Sequence, residues 1–132
     1  MKKVFFLLLV VLLSNWATAQ ITDYSIFDKK FNFYVANDLG RNGYYDQKPI
    51  AELMGTMAEE VGPEFVVATG DIHHFEGVRS VNDPLWMTNY ELIYSHPELM
   101  IDWFPVLGNH EYRGNTQAVM DYTCLLYTSD AA

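Results

Sequence analysis

The chain has 132 residues, half of them hydrophobic and 15% aromatic, which excludes disorder by composition and fits one domain or part of one. Its formal charge is −9, and loss of Lys2 and Lys3 with a leader would leave 6 basic residues against 17 acidic ones, or −11. Such a surface repels nucleic acid and anionic membranes, so an anionic substrate would need a local cation, and a metal ion is the obvious source.

Met1-Lys-Lys, the apolar run Val4 to Leu13 and Ala17-Thr-Ala19 read as a secretory signal peptide over residues 1–19, cut before Gln20. The alternative is an uncleaved anchor helix. No later segment reaches the roughly 20 apolar residues of a membrane span, so the mature protein is expected to be exported, either secreted or periplasmic. Gln20 to Lys30 is a polar lead-in. Phe31 to Ala36 reads as a strand. A turn-rich loop, Asn37 to Gly43, follows, with Asp46 placed to cap a helix over Gln47 to Val61. There Ile50, Leu53, Met54, Met57 and Val61 fall at helical spacing, and Gly62-Pro63 ends the run. The β-branched stretch Phe65 to Thr69 is the next strand. Strand, helix and strand form a βαβ unit with parallel, adjacent strands in a mixed sheet.

Gly70 to Asp83 is a polar loop long enough to be functional. Asn82-Asp83 reads as a cap and Pro84 as the first turn of a helix continuing from Leu85 to Tyr94, with Trp86, Tyr90 and Tyr94 as its core face. Trp103 to Leu107 is a third strand, whose Pro105 predicts an edge position or an irregular start. Asn115 can cap a last helix, Thr116 to Tyr122.

Each strand run ends in residues that carry chemistry. The first delivers Asp38, the second Asp71, His73 and His74, and the third Asn109 and His110. Hard oxygen donors with imidazole nitrogen suit iron, manganese or zinc, and a strand-end carboxylate can bridge two cations about 3.5–4 Å apart. Taken singly, each residue has a plainer reading. An Asp after Gly caps turns, Asn109-His110 can be an ordinary turn, and His73 reads better as a satisfied core or surface residue. His96 beside Pro97 reads as structural, and Arg41 and Arg113 as solvated.

Asn37-Asp-Leu-Gly40, Gly70-Asp71 and Gly108-Asn-His-Glu111 resemble the first three motifs of the calcineurin-like metallophosphoesterases. Gly70-Asp-Ile-His-His-Phe-Glu-Gly-Val78 with Val81-Asn-Asp83 resembles, more narrowly, the small purple (tartrate-resistant) acid phosphatases. The likeness runs from about Phe31 to Asn115. It implies an α/β fold, a layered α/β/β/α sandwich of which only the first half is present, over residues 20–123. It also implies two divalent or trivalent metal ions, iron in one position and iron, zinc or manganese in the other, acting on a small phosphorylated substrate. Asp38 would bind the first metal, Asp71 would bridge, Asn109 would bind the second, and His110 would assist the leaving group.

Two positions depart from the pattern. His74 stands where the purple phosphatases have a ligand tyrosine, and Gly40 where many metallophosphoesterases have a ligand histidine, so His74 is expected to restore the missing nitrogen. No histidine follows His110, so residues 20–132 alone are expected to bind metal poorly and to be inactive. The functional expectation is monoester hydrolysis. A phosphodiesterase or nucleotidase, or an exported binding protein with a relic site, are the alternatives. Cys124 to Ala132 resembles a translated sequencing adapter, hence a non-native tail over residues 124–132.

Overall fold

The computed structural model describes residues 23–27 and 30–129, with side chains up to residue 122. The leader expected over 1–19 lies outside the described residues. Strands β1 (Tyr34–Ala36), β2 (Phe65–Ala68) and β3 (Asp102–Pro105) form one sheet in that order, and both pairings are parallel. Helix α1 (Gln47–Val61) connects β1 to β2, giving the expected βαβ unit. The mixed character anticipated for the sheet is not seen among the described strands. The strands are also shorter than expected: Phe31 to Phe33 precede the ladder and Val106-Leu107 follow it. Pro105 closes β3, which is an edge strand among the described residues.

Register explains how the sheet buries one side. Tyr34 lies opposite Val66, Val66 opposite Trp103, and Ala36 opposite Ala68, so these residues share a face. That face packs with Ala51 and Ala58 of α1 and with Leu39, Ile72, Tyr94 and Leu99. The other face carries Phe33, Val35, Phe104 and Val106, exposed by 46%, 64%, 46% and 51%. Phe33 stacks on Phe65 at 5.0 Å, and Phe104 meets Phe65 edge-on at 5.5 Å.

Helix α1 has the expected limits but turns a different line inward. Gln47, Ala51, Gly55, Ala58 and Val61 are buried, whereas Ile50 and Leu53 are half exposed. Small residues on that line leave room for the segment from His96 to Leu99, and a Cβ on Gly55 would stand 2.2 Å from the His96 ring. Asp46 precedes the helix without a side-chain capping bond. Gln47 organises this end instead: its Oε1 accepts from the N–H groups of Arg41 (3.1 Å) and Gly43 (2.6 Å). The helix ends as expected, at Gly62 in the left-handed region with its N–H on the Ala58 carbonyl.

Between β2 and β3 the expected regular helix is replaced by a short, wide turn, Met87–Glu91, in which Leu92 N–H reaches back to Met87 O at 3.0 Å. The widening divides the anticipated aromatic face. Tyr90 and Tyr94 pack on Trp103 at 5.1 and 5.3 Å, while Trp86 stacks on Tyr122 at 3.7 Å in a second cluster with Val78, Ala118 and Val119. Asp83 does cap this turn, accepting from Leu85 N–H at 3.0 Å. His96 is structural, as expected, with Nε2 3.3 Å from Glu59. Helix α2 (Thr116–Ser129) starts with Asn115 Oδ1 accepting from Ala118 N–H at 3.2 Å. It runs past Tyr122 because no Gly or Pro interrupts it. No helix among the described residues is long and apolar enough to cross a membrane.

Candidate metal centre

Parallel strands end on one edge, and there the first two loops are joined through their backbones. Asp38 N–H donates to Gly70 O at 3.2 Å, and His74 N–H donates to Gly40 O at 3.2 Å. A Cβ on Gly40 would stand 1.8 Å from the Ile72 carbonyl oxygen. No side chain fits there while the two loops keep this arrangement. A Cβ on Gly108 would stand 2.3 Å from Asp71 Oδ1, so the third loop lies directly against the second. Asp38 and Asp71 both adopt left-handed backbone, φ 54° and 53°, a region in which Asp is enriched among non-glycine residues.

The side chains converge above these contacts. Asp71, His74 and His110 each offer a ligand atom, and the three atoms lie within 4.8 Å of one another. Asp38 joins them, with Oδ1 3.2 Å from Nε2 of the buried His74. His74 Nδ1 lies 2.9 Å from Gly40 O. In a neutral imidazole that carbonyl takes the Nδ1 hydrogen, so Nε2 and the Asp38 oxygen confront each other as two acceptors. A shared cation satisfies both, and a ligand histidine whose other nitrogen donates to a backbone carbonyl is the usual arrangement around metals. The donor set therefore fits metal ions.

Asn109 is exposed on the same loop, between Gly108 and His110. His110, expected beside the leaving group, has a donor nitrogen inside the ligand cluster; its Nδ1 lies 3.1 Å from Phe75 O, and its N–H donates to Asp71 Oδ1 at 3.0 Å. Arg113 also donates to Phe75 O, at 3.2 Å, and Arg41 sits 6.0 Å over the Tyr45 ring. A groove of 510 Å³ bordered by Asn42, His74, Phe75, Arg79 and Leu85 opens beside the cluster.

His73 is separate from the ligand group. It is wholly buried, edge-on to Trp86 at 4.4 Å; Asn89 Nδ2 donates to its Nδ1 at 3.3 Å, and its Nε2 has no partner. Burial pushes its pKa down to about 4, against a smaller raising effect from Asp83.

Glu111 is the residue that the sequence reading passed over. Fully buried, it accepts from the N–H groups of Asp71 (2.8 Å), His73 (3.0 Å) and Gly108 (2.7 Å). Its only sequence signal is its place at the end of Gly-Asn-His-Glu. Gln47 and Asn89 were likewise not singled out. Gln47 Nε2 donates to Asn89 O at 2.8 Å, and Asn89 Oδ1 accepts from Asn42 N–H at 2.5 Å, which ties down the loop that presents Asp38.

Purple acid phosphatase 7 of Arabidopsis thaliana is 41% identical over 91 residues, 69% of this chain and 28% of that protein. Purple acid phosphatase 3 of the same plant is 37% identical, over 84% of this chain and 31% of its own length. The human tartrate-resistant acid phosphatase type 5 is 31% identical over 48% of this chain and 20% of that protein. The chain thus spans about three tenths of the plant relatives' length. Among solved structures, GAP50, the anchor in the inner membrane complex of Plasmodium, superposes with a TM-score of 0.58 at 27% identity, covering 64% of this chain and 27% of that one. The calcineurin-like phosphoesterase pattern matches residues 31–129, a span that holds all three strand ends and the donors they bring together; this chain belongs to that family.

Proposed function

We propose that the chain is the amino-terminal part of an exported, metal-dependent phosphatase that hydrolyses small phosphate monoesters. The convergence of Asp38, Asp71, His74 and His110 carries the reading, supported by likeness to the acid phosphatases. Asp38, Asp71 and His74, with Asn109 from the third loop, would hold two cations, iron in one position and iron, zinc or manganese in the other. When bound, such a pair neutralises phosphoryl oxygens and acidifies water near neutral pH. His110, with Nδ1 engaged by the Phe75 carbonyl, keeps Nε2 for the substrate, where it orients the phosphate or protonates the departing oxygen. Further histidines come from chain beyond this sequence, and residues 20–132 alone are inactive. The small share of the relatives' length that is spanned supports that view.

The test is made on the longer parent chain. Two metal ions per chain and faster turnover of p-nitrophenyl phosphate than of bis(p-nitrophenyl) phosphate are expected. The opposite preference would make it a diesterase or nucleotidase. A second reading, an exported binding protein with a relic site, draws on the likeness to an anchor protein. Less than one metal per chain, with no turnover, would establish it.

A further inference from the structure

The ligand loops after β2 and β3 meet on one side chain that lies outside the ligand cluster. Glu111 Oε2 accepts from both Asp71 N–H (2.8 Å) and Gly108 N–H (2.7 Å), and Oε1 accepts from His73 N–H (3.0 Å). No ion pair involving Glu111 is present among the described residues, and its side chain is fully buried. A buried carboxylate needs such donors, and these come from segments about forty positions apart in sequence. The return link is Asp71 Oδ1, which accepts from His110 N–H at 3.0 Å. Asp71 is thereby tied to the third loop in both directions, donating to Glu111 and accepting from His110, while Gly108 N–H holds Glu111 within that loop.

We propose that Glu111 is the positioning residue that couples the two halves of the metal centre, setting the spacing between Asp71 and the Asn109–His110 pair. This rests on the metal-centre reading above. Because one oxygen serves both loops, either loop can move only by stretching a bond to the other. The Asp38–His74 pair is held first by Gly40, through the His74 N–H (3.2 Å) and the His74 ring (2.9 Å), and meets Glu111 only at one remove, through the N–H of the neighbouring His73. Glu111 therefore acts on one cation position more than on the other.

In Glu111→Gln an amide N–H₂ replaces one oxygen and faces backbone donors, so at least one bond is lost with little change of volume. The experiment is a calorimetric titration of the metal-free parent chain with Zn²⁺, with Co²⁺ absorption as a second readout. The expected result is that E111Q weakens the second ion 10–100-fold, weakens the first, which shares Asp71, by clearly less, and alters the Co²⁺ spectrum. Glu111→Asp, which keeps the carboxylate, is expected to recover part of the loss. Equal weakening of both ions, or of neither, overturns the proposal.

Should E111Q fail to fold, hydrogen exchange of the metal-free wild-type chain decides. Slow exchange at the Asp71, His73 and Gly108 amides supports the coupling, and exchange as fast as in the exposed loop residues overturns it. A wild-type chain that binds no Zn²⁺ at all sinks the phosphatase reading instead.

Discussion

The two faces of the sheet are built from the same kinds of residue and have opposite surroundings. On one face Val66, Ala68 and Trp103 are buried beneath α1 and Leu99; on the other Val35, Phe33 and Phe104 stand open to solvent. Neighbouring residues of one strand alternate between these environments, so a continuous apolar run without polar relief marks a sheet made to be covered twice. Within the described residues only one cover is present.

The strongest way to break the contrast is to hollow out the closed side. Leu99→Ala removes a side chain exposed by only 2% and is expected to lower stability by about 2–5 kcal/mol in urea unfolding. Acid probes the same side. His73 prefers its neutral form when folded, with its pKa brought from 6.5 to about 4, whereas the unfolded chain takes up the proton below 6.5. Stability of the metal-free chain is therefore full above pH 6.5 and falls as pH drops towards 4, by roughly 3 kcal/mol in all. His73→Phe should flatten that part of the pH profile. A smaller contrast comes from making one change on each face. Val66→Thr buries a hydroxyl and should lower stability by about 1–3 kcal/mol, whereas Val35→Thr should change it by less than about 0.5 kcal/mol. If Val35→Thr in the longer parent chain costs as much as Val66→Thr, then further chain covers the open face.

These contrasts also show what could be read from the letters. The strand ends were legible because each apolar run stops at a turn residue, and Asp38, Asp71 and His74 follow at once. The inward line of α1 was not, since Ala51, Gly55 and Ala58 look neutral in a sequence while Ile50 and Leu53 draw attention. The wide turn at Met87–Glu91 depends on hydrogen bonds that reach one residue further back, such as Leu92 N–H to Met87 O, and spacing alone does not reveal it. Glu111 was invisible for a different reason. A buried carboxylate and a solvated one are the same letter, and only the arrival of three backbone donors from separate loops distinguishes them. His74 is the converse case: a Cβ at position 40 has no room beside the Ile72 carbonyl, and the imidazole next to Asp38 comes from the neighbouring loop.

Asp38 and Asp71, at φ 54° and 53°, are filtered twice. Apart from glycine, the conformation favours short side chains such as Asp and Asn, and of these only Asp brings an anionic oxygen. A glutamate could not simply lengthen the arm, because the backbone would have to relax first. In the proposed metal centre, cation preference would then be tuned by how many formal charges surround the ion rather than by how far each arm extends. Aspartate-to-asparagine exchange is the substitution that changes that tally while leaving the main chain where it was.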